Sequence, residues 1–99
     1  MNSNPIVSVS SSINIDRGNK SKWLEVYRIS NALQILMETW RACPVDRLQG
    51  DEFEAVRTML SHVMASSGHH IDSVLTAQTA EELFDIHREF HTVARSRCQ

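Results

Sequence analysis

Five histidines are the residues of this 99-residue chain best equipped for chemistry: His62, His69, His70, His87 and His91. His87 and His91 are four apart, so on a helix both rings could converge on a metal from one face. Zinc needs further ligands, and a metalloprotease helix carries Glu directly after its first His, where Arg88 stands. A di-iron bundle uses Glu-x-x-His, and the residue three before His91 is again Arg88. The catalytic metal motifs therefore fail. A site completed by His70 keeps a histidine-dependent metal-binding protein as an alternative; the plainer expectation is partly buried histidines paired with acids or water, with no metal and no cofactor.

Nucleophilic chemistry is no better supplied. Cys43 stands beside a helix end before Pro44, where the helix dipole disfavours a thiolate, and Cys98 is next to last. Glu81, Glu82, Asp85 and Glu89 are accounted for as caps and a solvated helix face. Gly18, Gly50 and Gly68 are isolated, so no glycine loop cradles a phosphate. No catalytic residue is expected, and the chain reads as a non-enzyme.

Charge and composition narrow the classes further. Ten Lys plus Arg against twelve Asp plus Glu give a net −2, and residues 51–99 carry four Arg against eight acids. Although Arg88, Arg95 and Arg97 sit near the carboxy terminus, that field repels DNA on balance, so no nucleic-acid partner is expected. Two cysteines make neither a zinc knuckle nor a disulfide framework, which fits a reducing compartment. The amino terminus lacks an early basic residue and a continuous apolar run, so no secretion signal and no membrane span are expected, and the cytoplasm is the expected location. Only three Gly and two Pro are too few for the turns of a small β-sandwich. The expected fold class is all-α.

The elements that must position these residues follow from periodicity. Residues 1–18 hold few large apolar side chains and are expected to form a flexible N-terminal arm, with 19–99 as a single helical domain. A first helix is expected from Asn19 or Ser21 to about Ala42, stopped by Pro44, with Trp23, Val26, Leu33, Met37 and Trp40 on one side and Leu24 and Ile35 on the other. Two apolar surfaces on one helix imply two neighbours. Asp51-x-x-Glu54 resembles a capping signal, and Phe53, Val56, Leu60, Val63, Met64, Ser67, Ile71, Val74 and Leu75 share one stripe, so a single helix is expected over 51–76 despite Ser67-Gly68. Thr79-Ala-Glu-Glu82 forms a clearer capping box. It opens a third helix to about Arg97 whose inner side holds Ala80, Leu83, Phe84, His87, Phe90, His91 and Ala94. The short connection between the second and third helices predicts an antiparallel hairpin on which the first helix packs, giving a three-helix antiparallel bundle.

Val74-Leu-Thr-Ala-Gln-Thr-Ala-Glu-Glu-Leu-Phe-Asp-Ile-His-Arg-Glu-Phe-His-Thr-Val-Ala-Arg95 resembles the carboxy-terminal half of phasins, small bacterial helical proteins that coat polyhydroxyalkanoate granules. In that family a long helix ends in a Leu-x-Ala-x-Thr-like turn, followed by acids and a helix with an aromatic residue about where Phe90 stands. The likeness covers about residues 52–95, and Ala80 replaces the proline usual after the threonine. The resemblance implies a non-enzymatic coat or adaptor whose helices cover an apolar polymer and associate with one another as a homo-oligomer. The apolar stripes themselves, Trp23 through Phe90, are equally what a helical adaptor, chaperone or regulatory subunit would offer a protein partner.

Overall fold

The computed structural model describes the backbone of residues 3–99 and the side chains of residues 20–44 and 47–99. Four α-helices and one 3-10 turn make up its regular structure: α1 (Ser3–Arg41), the turn Val45–Leu48, α2 (Asp51–Ser66), α3 (Asp72–Thr76) and α4 (Ala80–Arg97). No strand occurs among the described residues, and none of their helices is long and apolar enough to cross a membrane. The flexible arm expected over residues 1–18 falls on residues whose side chains lie outside this description. Helical backbone is continuous through Asn19 and Ser21, so neither caps the first helix.

Pro44 stops α1 by removing a donor and holding Cys43 away from helical geometry. The freed carbonyl of Trp40 accepts from the Cys43 N–H at 2.9 Å, while the Trp40 indole Nε1–H donates to the Arg47 carbonyl at 2.7 Å. One side chain thus turns the corner. Its ring meets Phe84 edge-on at 5.5 Å and Phe53 at 6.4 Å, joining α1, α2 and α4 at one end of the core. Gly50, at φ +70, is the residue before α2, so the expected Asp51 cap is displaced by one position. Asp51, Glu52 and Glu54 instead occupy the first turn, where negative charge complements the helix dipole.

The expected single helix over 51–76 is broken. Met64 accepts from the His69 N–H at 2.9 Å and Ala65 from the Gly68 N–H at 3.0 Å, with Gly68 at φ +83. That pair of bonds around a left-handed residue is a Schellman stop, and it satisfies carbonyls that a helix end leaves free. The Ser66 and Ser67 hydroxyls add bonds to Val63 and Met64. Phase nevertheless carries across the break. Phe53, Val56, Leu60, Val63 and Met64 of α2 and Val74 of α3 are buried, Ile71 packs partly buried against them, and Leu75 alone of that stripe turns out to solvent. Periodicity saw a shared core side and missed the reversal between its two pieces.

That reversal redraws the topology. The Arg57 guanidinium stacks on Phe53 and donates to the Ala77 carbonyl, so the return segment comes back to the start of α2. Then α4 sets off alongside α2 in the same direction. The expected α2–α4 hairpin is therefore an α2–α3 hairpin, and the principal contact of the fold is α1 against α4. Trp23 under the Arg97 guanidinium at one end and Arg41 beside Glu81 at the other fix α1 and α4 as antiparallel. Thr79 caps α4 as expected, its Oγ1 accepting from the Glu82 N–H at 3.3 Å. Trp23 is half-buried at the rim of the core; Val26, Leu33, Trp40, Leu83, Phe84 and Phe90 lie within it.

Two substitutions test this account. A Cβ at Gly68 meets nothing within 4 Å, so Gly68→Ala bears only the conformational cost of the left-handed site, about 1 kcal/mol lost in chemical denaturation. Unchanged stability would restore a continuous helix. Phe90→Ala, at a site 2% exposed, is expected to cost about 3–5 kcal/mol, and near-native melting would remove Phe90 from the core.

Candidate functional site

Small polar residues on an apolar stripe need partners, and Ser30 lies on the stripe formed by Val26, Leu33 and Met37. It is fully buried, and it meets the two histidines of α4. His87 Nε2 lies 2.9 Å from the Ser30 carbonyl, 3.2 Å from its Oγ, and Ser30 Oγ lies 2.7 Å from His91 Nδ1. A carbonyl only accepts, so His87 carries hydrogen on Nε2, while the bond between Ser30 Oγ and His91 Nδ1 takes its direction from the His91 tautomer. The rings of His87 and His91 stack at 5.4 Å, and Tyr27 stacks on His91 at 5.0 Å.

A hydroxyl bonded to an imidazole has the outline of a nucleophile and its base. The geometry closes that route, because Ser30 is sealed in the α1–α4 seam and its hydroxyl has no face from which a substrate could be attacked. The arrangement instead fastens two helices. Burial lowers the proton affinity of His87 against a smaller raising effect of its bond to Ser30. His91 is lowered as well, first by burial and then by repulsion from His87 and Arg95.

His87 Nε2 and His91 Nδ1 both turn to Ser30, whose hydroxyl oxygen lies 3.2 and 2.7 Å from them, and His70, expected to complete a metal site, is exposed. Among the described residues no three His, Cys, Asp or Glu side chains gather to hold an ion. His69 packs edge-on to Phe90 at 5.0 Å, and His62 is exposed on α2. Cys43 and Cys98 are both free thiols, set near opposite ends of the α1–α4 seam and separated by about the 27 Å length of α4. Ser30 escaped the sequence reading because a lone serine has no signature; its place between Val26 and Leu33 was the available signal.

A second feature is apolar and open. On the side of α1 and α2 away from α4, Ile29, Ala32, Leu36 and Thr39 face Ser66, His62, Met59 and Ala55 across a trench whose two halves share Leu36 and Met59. Ile29 is 49% exposed, Leu36 43% and Met59 41%, and Ile35 on the adjoining surface of α1 is 60% exposed. Leu24 and Ile35 do point away from the core stripe, as periodicity required.

No protein-family model, curated protein or solved structure matches this chain.

Because both imidazoles bind protons less readily in the folded chain than in the unfolded one, acid favours unfolding. Stability is complete above the ordinary histidine value near 6.5, declines as pH falls through it, and levels off once both rings are charged. The melting temperature is expected to fall between about pH 7.5 and 5, and His87→Phe to flatten that slope. An equal slope in the variant would place the acid sensitivity elsewhere.

Proposed function

We propose that this chain is a non-enzymatic helical interaction protein that works by adhesion, coating an apolar surface with the open face of α1 and α2. The observation that carries this reading is the grouping of Ile29, Ile35, Leu36 and Met59, all more than 40% exposed, on one side of a bundle whose other apolar stripes are already buried. Grouped apolar exposure of this kind marks a contact surface, whereas scattered single residues do not. The phasin resemblance over about residues 52–95 supplies the class of surface, a polyhydroxyalkanoate granule in the bacterial cytoplasm. The core stripes of α2 and α4 are used up within the molecule, so this face is what a granule would meet.

A protein adaptor is the second reading, favoured by the trench itself. Its walls are two antiparallel helices and its central lining, from Ile29 and Ser66 to Leu36 and Met59, includes no Asp, Glu, Lys or Arg. Such a groove receives the apolar side of an amphipathic helix.

Sedimentation with washed polyhydroxybutyrate particles tests the first reading. The full chain is expected to leave the supernatant with the particles, and Ile35→Glu combined with Leu36→Glu to reduce retention at least tenfold while helical circular dichroism is kept. A chain that stays in the supernatant at particle excess would remove the granule from this proposal.

A further inference from the structure

Charge is not spread evenly over this bundle. Residues 20–29 and 92–99 hold five cations, Lys20, Lys22, Arg28, Arg95 and Arg97, against the single acid Glu25, a side-chain charge of +4. Residues 30–91 hold four Arg against ten acids, or −6, and residues 1–19 balance to zero. The fold draws the two basic stretches together, with the Arg97 guanidinium over the Trp23 ring and Tyr27 stacked on His91. Among the described residues none of these five cations makes an ion pair, whereas Arg41, Arg47, Arg57 and Arg88 each hold an acid within 3.6 Å. A chain of net negative charge thus carries one uncompensated basic end.

That end runs into a ridge along α1. Lys20, Leu24, Arg28, Asn31 and Ile35 follow one another in steps of four, four, three and four, which sets them on one line of the helix over about 22 Å. All five are exposed, Leu24 by 39% and Ile35 by 60%, on the side of α1 opposite its buried stripe. Two cations therefore bracket one apolar side chain, and a second apolar side chain follows. The neighbouring acids stand off this line. Glu25, one residue on from Leu24, is rotated by about 100° toward the trench, and Glu38, beyond Ile35, accepts from Gln34 Nε2 at 3.2 Å.

We infer that this ridge, with the basic end beside it, holds the chain reversibly on an anionic phospholipid membrane, α1 lying in the plane of the headgroups. The stems of Lys20 and Arg28 are long enough to lift their charges to phosphate oxygens while Leu24 and Ile35 enter the acyl boundary, as an interfacial helix requires. Lys22, Arg95 and Arg97 add attraction at longer range; each cation near an anionic leaflet raises partitioning about fivefold. A nucleic acid fits less well. The aromatic rings at this end already stack within the molecule, Trp23 under Arg97 and Tyr27 on His91, and Leu24 and Ile35 interrupt the row of charges that a phosphate backbone would follow. The ridge shares Ile35 alone with the open face of α1 and α2, so the lipid site and the polymer-coating face are separable surfaces.

Co-sedimentation of the full chain with vesicles is the test. The chain is expected to pellet with vesicles of phosphatidylcholine containing about 30% phosphatidylglycerol and to stay in the supernatant with phosphatidylcholine alone. Partitioning should fall at least about tenfold between about 0.05 and 0.5 M salt as the charges are screened. Lys20→Glu combined with Arg28→Glu should lower it at least about tenfold, and Leu24→Ser combined with Ile35→Ser severalfold, with helical circular dichroism kept. The same charge change at two bridged sites, Arg47→Glu with Arg88→Glu, should cost no more than about threefold, and Met59→Glu in the trench should bind vesicles as the wild type does. Four results would overturn the proposal: no binding to the anionic vesicles, equal binding to neutral ones, a bridged-site pair that loses as much as the ridge pair, or tighter binding to a DNA duplex of about 20 base pairs at the same salt. A chain that pellets with polymer particles and ignores vesicles defeats the lipid site and leaves the coating reading standing; one that pellets with vesicles alone does the reverse.

Discussion

The bond from His87 to the Ser30 carbonyl, with the serine hydroxyl bonded in turn to His91, is the constraint around which the rest of this bundle is arranged. Three polar side chains in an apolar seam have to satisfy one another, because a buried polar group without a partner costs about 1–3 kcal/mol. Only one register of α1 on α4 does so. Sliding α4 by a turn would carry both rings away from the serine and leave its buried hydroxyl without a partner. Packing supplies the adhesion between these helices, and the polar knot chooses the alignment.

With α1 and α4 aligned, the remaining elements have little freedom. Trp40 is held at the corner by its bond to Arg47, and its ring is the surface on which Phe53 and Phe84 settle. Gly68 turns the chain back, and Arg57 anchors the returning strand of backbone at Ala77. The outcome is economical for so short a chain, whose core must be drawn from few residues. It also has a cost: α4 and α3 cover one side of the α1–α2 pair and nothing among the described residues covers the other. The open trench follows from having three long helices where a closed layer of this kind takes four.

Much of this could be read from the amino-acid sequence, and what could not shares a common cause. The all-helical class, the end of α1 before Pro44, the threonine cap of α4 and the inward positions of Val26, Leu33, Trp40, Leu60, Leu83 and Phe90 all depend on neighbours within a turn or two. Sequence spacing records such relations directly. The break at Gly68 was hidden because the two hydrophobic segments happen to keep phase across it, so the glycine's backbone sign, which decides the matter, left no trace in the pattern. Ser30 was hidden for a different reason. Its partners lie 57 and 61 residues away, and nothing in a serine between valine and leucine names a histidine on another helix.

The two tryptophans stand at opposite ends of the α1–α4 seam in unlike surroundings. Trp40 is dry and bonded to a carbonyl, while Trp23 is partly wet beneath a guanidinium. An indole emits at shorter wavelength in an apolar setting than in water, so this chain comes with two built-in optical gauges of different colour, one for each end of its longest contact. Fraying that starts from the carboxy terminus and opening that starts from the proline corner would leave distinguishable spectral signatures without any dye being attached.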